Sequence, residues 1–211
     1  GDSNALLRAL LEAGYGGTIL APVVDPAAVE AAFAAGTGGT ARTTIGGACL
    51  ANAALFHGRA QEDTCGAAHF GTVLIPMLTA MIEVHAYPLE RLIPALVAGY
   101  EAGGLLENAF AGNTTPNGFR STATYGVIAA AASASRLMAL DAATTASALA
   151  NAVSFTGGVL QSFADGTDEW RYQPGLVARN GLAAAALAKA GSVSAPLALE
   201  GLEARELMSA S

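Results

Sequence analysis

Charge is scarce in this chain. Of 211 residues, ten are Lys or Arg and 17 are Asp or Glu, 13% together, where about 25% is usual for a soluble protein. A surface so poor in charge reads as one covered in part by more protein, an oligomer interface or a partner domain. Enrichment of Ala and Gly through base composition is the alternative. The basic residues are scattered and the net charge is −7. That balance excludes nucleic-acid binding, which needs clustered Lys and Arg to neutralise phosphates. A small anion stays compatible wherever two or three bases converge.

Cysteine is nearly absent. Cys49 and Cys65 form no CxxC pair and no disulfide scaffold. Cys49 lies in an apolar run and reads as a small core side chain. Cys65 lies in a polar loop with no basic pair to lower its pKa. Long hydrophobic runs are also missing: the Ala-rich stretch 126–140 is broken by Ser and Arg and falls short of the ~20 apolar residues a bilayer requires. No membrane association is expected. The opening GDSNALLRALLEAG has neither a basic nor an apolar signal region, so a cytoplasmic protein is the default. Nucleotide-binding glycine patterns, GxSxG, HExxH and EF-hand loops are all lacking, so nucleotide binding has no support and no standard metal site is expected.

What the chain does contain is helix periodicity built on small residues. Residues 1–47 have a miniature α/β rhythm: a helix capped by Asp2 or Ser3, an apolar strand TILAPVV at 18–24, a second helix after Asp25-Pro26, and a possible strand at 41–47. From residue 48 the rhythm becomes helical, with helices expected at roughly 48–59, 71–85, 88–103, 122–138, 141–156 and 175–190. Pro88 starts one, Asp141 caps another, and the glycines at 103–104, 157–158 and 191 read as stops. The fold class is therefore mainly α, a helical bundle preceded by a small α/β segment.

Three polar clusters interrupt the alanines. The first, 57-HGRAQEDTCGAAH-69, holds His57, Arg59, Glu62, Asp63, Thr64 and His69, imidazoles and carboxylates of the kind that do acid–base work when partly buried. Its spacing matches no standard zinc pattern. The second, 113-NTTPNGFRSTATYG-126, places Arg120 at a helix start, where the dipole adds positive potential. The third, 161-QSFADGTDEWRYQPG-175, gathers Asp168, Trp170, Arg171 and Gln173 ahead of Pro174-Gly175. If a helix opens there, its free N–H groups suit a carboxylate, and Arg171 adds bidentate donors. Each cluster also has a bland reading: a solvated inter-helix loop, a capping loop, and a structural loop in which Arg171 pairs with Asp168 or Glu169.

Residues 48–201 resemble the large helical domain of the MmgE/PrpD family. The landmarks are ANAALFHG (51–58), EDT (62–64), the His69 loop with VLIPMLTA (73–80), and LIPALVAGYEAG (92–103). GFRSTATYGVIAAAASASRLMALDAATTASALANA (118–152) and FADGTDEWRYQPGLVARNGLAAAALAKAG (163–191) follow in the family's order. The resemblance implies a cofactor-independent lyase or isomerase, of dehydratase or epimerase type, acting on a small di- or tricarboxylate by proton abstraction. It implies a homodimer, or a partner chain supplying the family's second α/β domain as a lid. On the matching positions, His69, Asp63 and Thr64 become catalytic candidates. Arg120, Arg171, Gln173 and Asn180 become substrate-binding candidates. Several family positions differ: Ala60 replaces an Asp, Arg120, Gln173 and Asn180 replace His, and Trp170 replaces Lys. Those differences keep a second reading open, a non-catalytic helical homologue that binds a carboxylate or serves as a structural subunit. Residues 1–47 are similar to a C-terminal segment of the MlrC (microcystinase-type) family. That likeness implies a domain boundary at 47/48, with the helical domain over 48–211.

Overall fold

The computed structural model describes residues 44–58 and 60–203. The capped helix, the strand at 18–24, the second helix of the N-terminal stretch and Arg59 lie outside these residues. So does most of the stretch 1–47, for which a likeness to the MlrC family was the expectation.

The first described helix, α1 (Ile45–His57), begins where Thr44 turns its hydroxyl back to accept from the Gly47 N–H at 3.2 Å, a side-chain N-cap. Residues 45–47 are thus helical, which corrects the strand expected at 41–47 over its described part, and the boundary drawn at 47/48 falls inside α1. Residues 47–55 are buried all the way round, and a helix without a polar face belongs in the interior of a bundle. Next come α2 (Gly71–His85), a 3-10 turn (Leu89–Arg91) and α3 (Leu92–Thr114). They are followed by α4 (Ser121–Leu137), α5 (Ala142–Val153), α6 (Gln161–Asp165), α7 (Glu169–Lys189) and α8 (Ala198–Glu203). Asp141 caps α5 as expected, its carboxylate accepting from Thr144 N–H at 2.8 Å. Among the described residues, β structure is confined to two isolated bridges, Cys65–Ala68 and Phe119–Val159. No described helix is long and apolar enough to cross a membrane.

The core lies around α4, which packs against α2, α3, α5 and α7. Its contact residues are largely Ala129, Ala130, Ala131 and Ala134. Bulk comes from outside that stretch: Phe70, Leu74, Met77, Leu78 and Met81 on one side, Tyr125 and Leu137 at the ends of α4. Gly175 shows why small residues matter. A Cβ there would sit 2.3 Å from the Leu50 carbonyl oxygen, so α7 and α1 meet backbone to backbone. That contact sets the first turns of α7 beside the C-terminal end of α1.

Two helix boundaries differ most from expectation. α3 runs past Gly103-Gly104 to Thr114. Gly103 serves packing instead of a stop, since a Cβ there would lie 2.7 Å from the Phe70 ring and 2.8 Å from Ala129 Cβ. α7 starts at Glu169, so Pro174 and Gly175 lie inside it. Pro174 has no N–H to give to the Trp170 carbonyl one turn back. That carbonyl takes its hydrogen bond from Arg120 instead.

Candidate active site

Four pieces of chain meet at one end of α1: its last residue His57, the loop 60–70, the N-cap residue Arg120 of α4, and the first turns of α7. His57 is 1% exposed. Its Nε2 faces Arg120 Nη2 and its Nδ1 faces Glu62 Oε1. A guanidinium only donates, so Nε2 must accept and the ring hydrogen sits on Nδ1, donated to Glu62. Burial first, and then the Arg120 charge, pushes His57 down from 6.5 to about 4, against the opposing pull of Glu62. The contact with Glu62 is therefore a hydrogen bond from a neutral imidazole to a carboxylate.

Arg120 is 3% exposed. Three of its N–H groups have protein acceptors: the Trp170 carbonyl, Gln173 Oε1 at 3.1 Å, and His57 Nε2. All three are uncharged. Burial lowers Arg120 to about 10, partly offset by Glu62, so it remains a cation at neutral pH. The backbone is pinned too, with Arg120 N–H bonded to the Gly158 carbonyl at 3.1 Å and Gln173 Nε2 to the Val159 carbonyl at 3.2 Å.

His69 is the more open imidazole, its side chain 26% exposed. Its ring lies 5.3 Å from that of His57. Nδ1 is 3.2 Å from the Asp63 carbonyl and 3.4 Å from Glu62 Oε1. Both neighbours accept only, so the hydrogen of the neutral ring belongs on Nδ1 and the lone pair on Nε2. The loop that carries His69 is clamped at several points. Tyr100 donates to the Asp63 carboxylate at 2.6 Å, Ala67 N–H donates to the buried Glu107 at 2.7 Å, and His69 N–H donates to Thr122 Oγ1 at 3.0 Å. Burial and then the hydrogen bond to Asp63 raise the Tyr100 phenol, keeping it a donor.

An aromatic and cationic wall closes one side. Trp170 meets His57 edge-on at 5.0 Å, Arg171 lies over the Trp170 ring at 4.7 Å, and the Phe163 and Trp170 rings are 5.5 Å apart. Arg171 also pairs with Asp168 at 3.0 Å and reaches the Gly58 carbonyl at 3.3 Å.

Of the residues singled out in the sequence, His69, Arg120, Arg171 and Gln173 come together here. Asp63 is adjacent, but its carboxylate turns away to Tyr100 and only its carbonyl faces His69. Thr64 is exposed on the loop. Asn180 stands two turns beyond Gln173 on α7, roughly 10 Å along the axis. The anion cradle expected ahead of Pro174-Gly175 does not form, because α7 has already begun at Glu169. Cys49 is fully buried and its thiol is pushed up to about 12 by burial. Cys65 is raised by burial and then by the Glu107 and Asp63 charges. Among the described residues, no group of three or more His, Cys, Asp or Glu is arranged to hold a metal ion. His57 and Glu62 are central here, yet the sequence singled out their neighbours Asp63 and Thr64. The available signal was a cluster holding two of the chain's three histidines, one on each side of Glu62.

These features define a helical domain with a largely buried imidazole–carboxylate–guanidinium centre. The chain belongs to the MmgE/PrpD family: the model of the MmgE/PrpD N-terminal domain matches residues 17–204. That match reaches upstream of residue 48 into the stretch with the α/β rhythm. The cis-aconitate decarboxylase-like protein oryM of Aspergillus oryzae is 34% identical over 133 residues, 59% of this chain and 27% of the relative. The chain thus spans about a quarter of the length of that curated relative.

Proposed function

We propose that this chain carries the acid–base half of a cofactor-independent lyase or isomerase that abstracts a proton from a small di- or tricarboxylate. The observation that carries the proposal is the arrangement of His69. It is a partly open imidazole with its lone pair on Nε2, backed by a carboxylate, within one cluster that also holds two guanidinium groups. Family membership and a relative named as cis-aconitate decarboxylase-like support a carboxylic acid as the substrate.

In this reading His69 Nε2 takes a proton from the carbon next to a carboxylate. The electron pair left behind delocalises into that group as an enolate-like dianion. Arg120 and Arg171 stabilise it through their charge, which counts for more in a site shielded from water. Both guanidinium groups already bond to the protein, so they act as fixed positive charges more than as a free bidentate clamp. Gln173 holds Arg120, and Asp63 orients His69 through its carbonyl. A second copy of the chain or a second domain would complete the shielding, and the exposed Leu89, Ile93, Val97 and Leu105 along one edge of the bundle suit such a cover.

The test is proton exchange in D₂O, followed by NMR, with citrate-, aconitate- and succinate-like acids and a His69→Ala control. Deuterium incorporation or conversion that disappears in the control is the expected result. No exchange with any acid, at high concentration of folded protein, would favour the non-catalytic homologue that binds a carboxylate or serves as a structural subunit; the bonds of Arg120 to the protein fit the structural role.

A further inference from the structure

Glu62 enters that reading only as the carboxylate behind His69, and its surroundings are unusual. The side chain is 9% exposed, and among the described residues Oε2 has no hydrogen-bond partner. Carboxylates buried for the sake of the fold alone normally have both oxygens satisfied, because an unpaired charged acceptor away from water is costly. Oε1, by contrast, serves two rings. It accepts the Nδ1–H of His57 and stands 3.4 Å from Nδ1 of His69. The carboxylate is set in place from behind. Arg120 can only donate, so it fixes the His57 hydrogen on Nδ1, and that hydrogen points at Glu62. Arg120 is fixed in turn by the Trp170 carbonyl that Pro174 leaves open, and by Gln173.

We infer that Glu62 is a positioning residue of the base, sharing the His69 Nδ1 hydrogen with the Asp63 carbonyl. It holds the His69 ring with the hydrogen on Nδ1 and the lone pair on Nε2, and His57 and Arg120 hold Glu62. The inference rests on the proton-abstraction reading for its consequence, and on geometry for its substance. When His69 takes the substrate proton on Nε2, the resulting imidazolium gains a carboxylate beside Nδ1. This is the part an orienting acid plays behind a general base.

Two readouts test it. The first needs no substrate: ¹H–¹⁵N correlation spectra of the full chain with labelled histidines, assigned through His57→Asn and His69→Asn variants. The wild type is expected to show His69 as the Nδ1–H tautomer. In Glu62→Gln the His69 Nδ1 proton moves upfield, because an amide oxygen is a weaker acceptor than a carboxylate. A wild-type ring protonated on Nε2, or a His69 proton that does not move in Glu62→Gln, overturns the inference. The wild-type spectrum fixes the tautomer even if the variant fails to fold. The second readout is the exchange rate. Glu62→Gln should lower kcat at least tenfold with KM little changed, and Glu62→Asp should recover part of the loss. Full activity in Glu62→Gln overturns the inference and leaves the proposed function standing. A wild type inert toward every acid sinks the proposed function, and the spectra alone then decide the placement of Glu62.

Discussion

Replacing His57 by Gln should change how stability depends on pH more than it changes stability at neutral pH. In the folded chain His57 stays neutral down to about pH 4, first through burial and then through the Arg120 charge, while an unperturbed imidazole titrates near 6.5. The unfolded chain therefore binds the extra proton first as pH falls. Stability is fully present above pH 6.5 and drains away toward pH 4, the sign that a lowered folded-state pKa requires. Between pH 7.5 and 4.5 the loss from this one group is on the order of 2–3 kcal/mol, each pH unit between the two values counting for about 1 kcal/mol or somewhat more. Gln carries no charge at any pH, and its amide offers a donor to Glu62 and an acceptor to Arg120. Urea unfolding at half-unit pH steps measures the difference. With a slope of about 2 kcal/mol per M, the wild-type midpoint should fall roughly 1 M further than that of the variant over this range. Carboxylates common to both proteins cancel in the comparison. Equal falls in the two midpoints would refute the reasoning, since His57 would then accept a proton in the fold as readily as in the open chain.

Two further substitutions probe the supports of the site. Arg120→Met leaves the Trp170 carbonyl, Gln173 Oε1 and His57 Nε2 without their donor. Pro174 cannot supply the first of them, so a loss of about 3–5 kcal/mol is expected in equilibrium unfolding; a loss under about 1 kcal/mol would show that these acceptors find water instead. Glu107→Leu strands the Ala67 N–H. It should cost about 1–3 kcal/mol, with faster amide exchange concentrated in residues 63–69, and uniform exchange across the bundle would contradict the clamp.

The helices were legible wherever local chemistry and tertiary packing agree. α2 appears at its expected bounds, and Asp141 and Gly191 punctuate the chain as their chemistry predicts. The misreadings have one cause. Gly103-Gly104 and Pro174-Gly175 are breakers by intrinsic preference, but here the glycines admit a neighbouring helix and the proline frees a carbonyl for Arg120. In the site, Arg120 and His69 could be marked from residue type and loop position. The link from Arg120 through His57 to Glu62 could not. It joins residues 63 positions apart, and it depends on the end of α1 folding back over the loop that follows. Trp170 was visible within a polar cluster, but only the meeting of α1 and α7 turns it, with Phe163, into a wall of the site.

The alanine seam of α4 has a consequence for how this domain can vary. With methyl groups on most contact faces, there is little side chain left to trim, so truncations open only small voids. Growth is the harmful direction: one added methylene between helices already in backbone contact has nowhere to go. A systematic substitution scan should therefore find α4 tolerant of exchanges among Gly, Ala and Ser and closed to anything larger. Divergence in such a domain is channelled away from the alanine seam and into the loop that carries His69 and the short stretch from α6 into α7 that carries Phe163 and Trp170.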